Sequence, residues 1–382
     1  MSEWLLILLL PLAAWSGWWI AMRKEARDMR QSKSRSAYFE GLSFLLNDQT
    51  DRAVDVFLQM ANIDRQTFDN QLTLGALFRK RGELDRALHL HRQLADLPFL
   101  DNTQACAVDF ELAEDYAHAG MFRQAQALLE KRQGENFRTR DIYAALWRIY
   151  ERTAQWQKAI EISELWQAAG YGSRARQIAH YYCELAEIAQ SEGDTSRMHT
   201  LLDAALVADN RCGRAYHMQA QLAMQRGEPV SAIHHYHSIG EQAANFLPEI
   251  LPLLAEAYAE IGRSEEYLQW LLEKEAQMRQ ARLSLATAET LSRLGKAEAA
   301  HQLLQSRLQE QQNPLLLAAY LQSHPEPSLQ GLNTLIGKGI SPQHVYQCNE
   351  CGFRQQRLIW HCPACHAWSS FQPLIEVKVE QR

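Results

Sequence analysis

Four of the seven cysteines are crowded between residues 348 and 365, inside the stretch YQCNECGFRQQRLIWHCPACHAWSSF that runs from 346 to 371. Cys348 and Cys351 form one C-x2-C pair and Cys362 and Cys365 a second, with ten residues between the pairs. Each pair can wrap a tight turn that aims two thiolates and several backbone N–H groups at a single ion. Four thiolates then complete a tetrahedral shell. A shell of that composition accepts zinc or iron. It leaves no open position for a substrate, so the chemistry it points to is structural metal binding and not catalysis.

The elements that must position these thiols follow from their neighbours. Gly352 comes directly after the first pair, where a left-handed backbone is often needed, and Pro363 stiffens the second. The segment Phe353–Trp360 is long enough for a short β-hairpin. Tyr346, Phe353, Trp360, Trp368 and Phe371 supply an aromatic shell. A unit of fewer than about 40 residues usually needs a metal to fold. The spacing fits a zinc ribbon or a rubredoxin-like knuckle. His361 and His366 flank the second pair, but four cysteines already suffice, so these imidazoles are expected to support the ligands or face solvent. The remaining cysteines, Cys106, Cys183 and Cys212, are isolated in helical-looking sequence, and Cys183 reads as a small core residue. An odd count with one tight cluster indicates a metal site in a reducing compartment, not a disulfide framework.

Other constellations are weaker. His234, His235 and His237 lack a carboxylate or cysteine at a matching offset, and His89 and His91 point to different faces of their helix. There is no Walker A loop, G-x-S-x-G elbow, H-E-x-x-H or dinucleotide fingerprint. No enzyme activity is expected, and no catalytic residue is assigned.

Most of the chain is periodic. Small residues recur as Gly41, Gly75, Ala113, Ala186, Ala220, Ala255 and Ala288, with Trp147 in the fourth slot. A partner series twelve residues further on reads Ala53, Ala87, Ala125, Ala159, Met198, Ala232, Tyr267 and Ala300. Aromatics at Phe44, Phe78, Tyr116, Tyr150 and Tyr258 fill a third offset. Glycines at 82, 120, 193, 227, 262 and 295 mark the turns. This is the tetratricopeptide pattern, two antiparallel helices per 34 residues. Two such helices approach closely only where the facing residues are small, and an aromatic fills the groove beside the contact. About eight units are expected over 37–310, with longer loops near Leu100–Gln104 and Gly170–Arg174. Two capping helices are expected at Pro314–Ser323 and Ser328–Ile336, inside 311–342. The fold class is therefore an all-α tetratricopeptide-repeat superhelix with a four-cysteine domain over 343–382.

Of the 382 residues, 47% are hydrophobic, which excludes wholesale disorder. Mean hydropathy of −0.36 excludes a polytopic membrane protein. Trp4–Met22, WLLILLLPLAAWSGWWIAM, is nineteen residues without a charge. At 1.5 Å per residue it spans about 28 Å, near the thickness of a bilayer core. Only Met1, Ser2 and Glu3 precede it, which argues against a cleaved signal peptide. Residues 1–22 are therefore expected to form one transmembrane anchor. The next segment, 23–36, carries a local charge of +4 within 23–35. By the positive-inside rule this keeps the bulk of the chain cytoplasmic and puts the N-terminus in the periplasm. The net charge of −6 then leaves −9 after residue 35, an acidic body ill matched to a phosphate backbone, so nucleic acid is not expected as a partner.

An anchor, a basic segment, a repeat array and a terminal four-cysteine knuckle form an unusual combination, and it resembles the lipopolysaccharide assembly protein B (LapB/YciM) family of Gram-negative bacteria. The segments most similar are YFEGLSFLLNDQTDRAVDVFLQM (38–60), LTLGALFRKRGELDRALHLHRQL (72–94), AHYYCELA (179–186) and YQCNECGFRQQRLIWHCPACHAWS (346–369). The resemblance implies a non-enzymatic regulator at the inner membrane. It implies that the protein works with the FtsH protease to promote degradation of the LpxC deacetylase, gathers lipopolysaccharide-synthesis enzymes, and is opposed by a PbgA/YejM-type membrane protein. It carries the metal ligands onto Cys348, Cys351, Cys362 and Cys365 and implies iron, where the donor chemistry alone leaves zinc equally open. Three rival readings remain at this point. One is a scaffold that assembles the synthesis enzymes without controlling proteolysis. The second is an iron-knuckle electron-transfer protein, and the third, disfavoured by the acidic body, is a ribbon-type nucleic-acid binder.

Overall fold

A computed structural model describes residues 67–135, 137–323 and 340–379, together with Trp15, Trp18, Met22, Ser43 and Phe44. The described chain divides into two compact units, one ending at Tyr171 and the other beginning at Gly172. The division falls within the expected loop at Gly170–Arg174.

Among the described residues the first unit contains three helical hairpins. They are α1 (Phe68–Lys80) with α2 (Leu84–Ala95), α3 (Asn102–His118) with α4 (Phe122–Arg132), and α5 (Thr139–Arg152) with α6 (Trp156–Ala168). The other unit has four: α7 (Ala175–Ser191) with α8 (Thr195–Ala208), α9 (Gly213–Gln225) with α10 (Pro229–Gln242), α11 (Leu247–Glu260) with α12 (Ser264–Met278), and α13 (Ala281–Arg293) with α14 (Ala297–Glu310). A single helix, α15 (Pro314–Ser323), follows. A 3-10 turn at Ala244–Phe246 leads into α11.

The small-residue series explains the hairpins. Ala87, Ala125, Ala159, Ala232 and Ala300, all in the second helix of a pair, have no accessible surface. Met198 and Tyr267, the irregular members, are also buried. In the first-helix series Ala113, Ala186, Ala220 and Ala288 are buried, whereas Ala255 is half-buried. Every turn closes in one way. The N–H just past a left-handed residue donates to the carbonyl five residues back, as from Glu83 to Phe78, Gln155 to Tyr150 and Lys296 to Leu291. Six of these turns use the expected glycine. The third hairpin holds Ala154 there at φ 53°.

The expected loop at 100–104 is shorter than the spacing suggests, because α3 starts at Asn102. Asp101 accepts from the Gln104 N–H at 2.8 Å and the Gln104 side chain accepts from the Asp101 N–H at 3.2 Å, a reciprocal cap. Of the two expected capping helices, Pro314–Ser323 forms α15, and its Leu316 completes a core with Leu268, Leu291, Ala300 and Leu304. The other, Ser328–Ile336, lies outside the described residues, as does the first repeat except for Ser43 and Phe44.

The expected single-pass location in the inner membrane is corrected. Among the described residues no helix is long and apolar enough to cross a membrane. The longest described, α3 and α7, have 17 residues each and carry polar faces, short of the ~20 apolar residues that a span needs. Of the stretch Trp4–Met22 only Trp15, Trp18 and Met22 are described, each helical and exposed. The rest of 1–22 and the basic segment lie outside the described residues.

The C-terminal part is a three-stranded antiparallel sheet in the order β2-β1-β3, formed by β1 (Ile340–Cys348), β2 (Arg354–Gln355) and β3 (Phe371–Val379). The register of β1 on β3 runs from Ile340 opposite Val379 to Cys348 opposite Phe371. The hairpin expected within Phe353–Trp360 does not form there. That segment contributes only β2, which pairs across the first cysteine turn with Tyr346 and Gln347 of β1.

Candidate metal centre

The four cysteines predicted from the sequence converge. Their sulfur atoms all lie within 4.8 Å of one another, and none is in a disulfide. Cys348 and Cys362 are buried, whereas Cys351 and Cys365 are exposed.

Two turns of the same construction bring them together. In the first, the Cys348 N–H donates to the Phe353 carbonyl and the Gly352 N–H donates back to the Cys348 carbonyl, both at 2.9 Å. In the second, the Cys362 N–H donates to Ala367 and the His366 N–H to Cys362, again both at 2.9 Å. The residue after each pair is left-handed, Gly352 at φ 77° and His366 at φ 58°. Glycine meets that demand without strain, and His366 meets it at a cost. The Asn349 N–H donates to Ser370 and joins the turns, and the Ser369 N–H donates to Trp360 at the base of the second, both at 2.8 Å.

The donor set fits a tetrahedral ion. Sγ of Cys348 lies 3.6 Å from that of Cys365, and Sγ of Cys351 lies 3.7 Å from that of Cys362. A tetrahedron with the usual thiolate–metal bond of about 2.3 Å has edges of about 3.8 Å. Burial pushes the Cys348 thiol up, but the Ser370 hydroxyl and the N–H groups of Cys351 and Glu350 outweigh it and bring it down to about 6. Burial and the other three thiols push Cys365 up to about 12. Cys348 is thus ready to ionise, while Cys365 resists adding charge beside it. A cation at the centre removes that repulsion. The cluster is a tetrathiolate site able to hold one metal ion.

The expected aromatic shell is partly redirected. Tyr346 and Phe371 pack with Cys348 and Cys362 in the knuckle's own core, whereas Phe353 is exposed. Trp360 and Trp368 turn toward the helices. The imidazole of His180 in α7 is stacked on Trp368, with ring centroids 4.9 Å apart, and its Nε2 is 2.6 Å from Ser369 Oγ. Tyr181 meets Trp368 edge-on at 5.9 Å, and Phe246 lies 4.7 Å from Trp360. The Tyr346 hydroxyl donates to Glu249, which also pairs with Arg282 at 2.6 Å. The knuckle therefore has a built seat on α7, α11 and α13. His361 stacks on Trp368 at 4.3 Å, and His366 is exposed. His237, set aside as a ligand, stacks on Trp270 at 5.1 Å. Of the seat residues, His180 and Tyr181 fall in the segment AHYYCELA (179–186), where no role was assigned to them, and Phe246 and Glu249 were not singled out at all. Only the excess of aromatics around the cysteines hinted that some faced outward.

Residues 346–373 match the family model described as a rubredoxin metal binding domain. Lipopolysaccharide assembly protein B of Escherichia coli strain K12 is 32% identical over 381 residues, covering 97% of this chain and 98% of the relative. The protein of the same name from Haemophilus influenzae is 30% identical over 390 residues, with the same coverage. Among solved structures, tetratricopeptide-like repeats of a Podospora anserina kinesin light chain align at 22% identity and a TM-score of 0.34, covering 47% of this chain and 95% of that one. The two bacterial likenesses run from one end of the chain to the other, through the repeats as well as the knuckle. On that ground the chain belongs to the lipopolysaccharide assembly protein B family.

Proposed function

We propose that this protein is a non-enzymatic adaptor that modulates lipopolysaccharide synthesis by promoting degradation of the LpxC deacetylase by the FtsH protease. The observation that carries this reading is the end-to-end likeness to the Escherichia coli protein, 32% identical over 97% of the chain. The architecture supports it. Helical-hairpin arrays offer long surfaces for gripping other proteins, and a closed four-thiolate site holds structure without presenting a substrate position. The matched relatives are named for assembly and the matched domain for metal binding; neither name denotes a reaction.

In this reading Cys348, Cys351, Cys362 and Cys365 hold one zinc or iron ion, which supplies the crosslink that keeps the two turns of the knuckle together. The repeats over 37–310 receive client or protease, 311–342 closes the array, and 343–382 is the metal-binding domain. A PbgA/YejM-type membrane protein opposes the activity. The word assembly in the relatives' name favours a second reading, a scaffold that gathers lipopolysaccharide-synthesis enzymes without controlling proteolysis. Reconstitution separates the two. Purified full-length protein added to FtsH and the deacetylase should accelerate loss of the deacetylase. Unchanged loss, with co-purification of the synthesis enzymes, supports the scaffold instead.

A further inference from the structure

Cys183, in α7, and Cys212, immediately before α9, bring their sulfur atoms to 3.9 Å, although 29 residues separate them in sequence. Neither belongs to the four-thiol cluster, and both are free thiols. Cys183 is fully enclosed among Ala179, Ala186, Met198, Leu202 and Met218. Cys212 is different, because it lines a cavity of about 340 Å³ between the helices and the knuckle, walled also by Arg176, Arg211, Asn349 and Ser370. It occupies the N-terminal cap of a 13-residue helix, where the positive end of the helix dipole lies, and its carbonyl accepts from the Ala215 N–H at 3.1 Å. Arg214, 3% exposed, is close enough for its charge to act on both thiols. Its terminal nitrogens hold Glu184 and Glu187 at 2.8 and 2.7 Å, while its buried Nε has no hydrogen-bond partner.

We propose that Cys183 and Cys212 form a peroxide-oxidisable dithiol, in which Cys212 attacks and Cys183 resolves. The Cys212 sulfur attacks one oxygen of a hydroperoxide and breaks the O–O bond. This yields a sulfenic acid and releases the alcohol, or water from hydrogen peroxide. The Cys183 thiol then attacks the sulfenic sulfur and forms the S–S bond, and its proton leaves with the hydroxyl as water. The dithiol loses two electrons and the peroxide gains them. A disulfide is about 2.05 Å long, so the two sulfurs must close by about 2 Å, and the cavity beside Cys212 leaves its side chain room to rotate. The division of labour agrees with the electrostatics. The contact with Cys183, helped by the charge of Arg214, outweighs burial and holds the Cys212 thiol below its ordinary value. Burial and Cys212 hold Cys183 well above its own. The disulfide ties α7, which carries His180 and Tyr181, to the start of α9.

The test exposes the full-length, metal-loaded protein to hydrogen peroxide while metal release is followed, then alkylates the remaining thiols and maps them by mass. The proposal expects Cys183 and Cys212 to become resistant to alkylation together. They should be recovered as a linked peptide pair two hydrogens lighter, before metal is released, and dithiothreitol should restore them. In the Cys183→Ser protein, Cys212 should accumulate as a sulfenic acid trapped by dimedone. Full alkylation of both residues at peroxide levels that already strip the metal would overturn the proposal. That arm uses the wild-type chain, so it stands even if the variant does not fold.

Discussion

His180 and Trp368, 188 residues apart, lie with their rings stacked at 4.9 Å and 20°, and the same imidazole reaches Ser369 through Nε2 at 2.6 Å. This contact fastens a metal knuckle to a helix of the repeat array. Replacing Trp368 by alanine removes a buried indole that also meets Tyr181 and His361, at a cost of about 3 kcal/mol. The Trp368→Ala protein should retain its metal, because no ligand is touched, while hydrogen exchange accelerates in the strands and in α7. Unchanged exchange would show that the stacked pair does not hold the knuckle.

The same imidazole sets a pH dependence. Burial, assisted by Arg214, Arg176 and His361, pushes His180 from 6.5 down to about 3. It is therefore neutral in the folded protein at neutral pH. The unfolded chain takes up this proton once the pH falls below 6.5, so the contribution to stability is complete above that value and is lost as the pH falls toward 3. By pH 5 the loss is about 2 kcal/mol. With metal held saturating, unfolding of the wild type should weaken between pH 7 and pH 5 by that much more than unfolding of His180→Gln. Parallel profiles would contradict the assignment.

The hairpin α1–α2 is set by a close approach. A Cβ at Gly75 would sit 2.2 Å from Nε2 of His91, whose ring is fixed between the Leu72 carbonyl and Asp115. Asp115 is in turn paired with Arg79 at 2.6 Å. The imidazole has nowhere to retreat, so Gly75→Ala should destabilise the protein by about 2 kcal/mol or more through overpacking. Urea unfolding measures it, and a midpoint equal to that of the wild type would refute it.

Ala154 offers the opposite test. It stands left-handed at φ 53° where the other six described hairpin turns have glycine. Relief of about 1–2 kcal/mol of backbone strain, less the entropy that glycine loses on folding, leaves Ala154→Gly more stable by about 0.5 kcal/mol. The urea midpoint should rise, and a lower one would contradict the account.

These residues also show what could be read in advance. The period of alanines was legible because each small residue marks a helix crossing made within a single unit. Four cysteines at fixed spacing were legible because both turns are local. His180, Phe246 and Glu249 were not, since they meet Trp368, Trp360 and Tyr346 across 97 to 188 residues of chain, and no local pattern encodes such a pairing. Cys183 reads as a core residue in its own helix. Its partner becomes visible only when α7 and α9 lie side by side.

Cys348→Ser and Cys362→Ser each remove one of the two buried thiols of the four-cysteine cluster. Either should cut bound metal from about one ion per chain to a small fraction, because three thiols no longer close the shell. The helical circular dichroism should stay nearly as in the wild type, since the hairpins carry their own cores.

The central claim, control of lipopolysaccharide synthesis through turnover of its deacetylase, is tested most directly by the half-life of that deacetylase in cells. The half-life should lengthen several-fold when this protein is depleted, return on complementation with the wild type, and stay long with Cys348→Ser. An unchanged half-life on depletion would contradict the account.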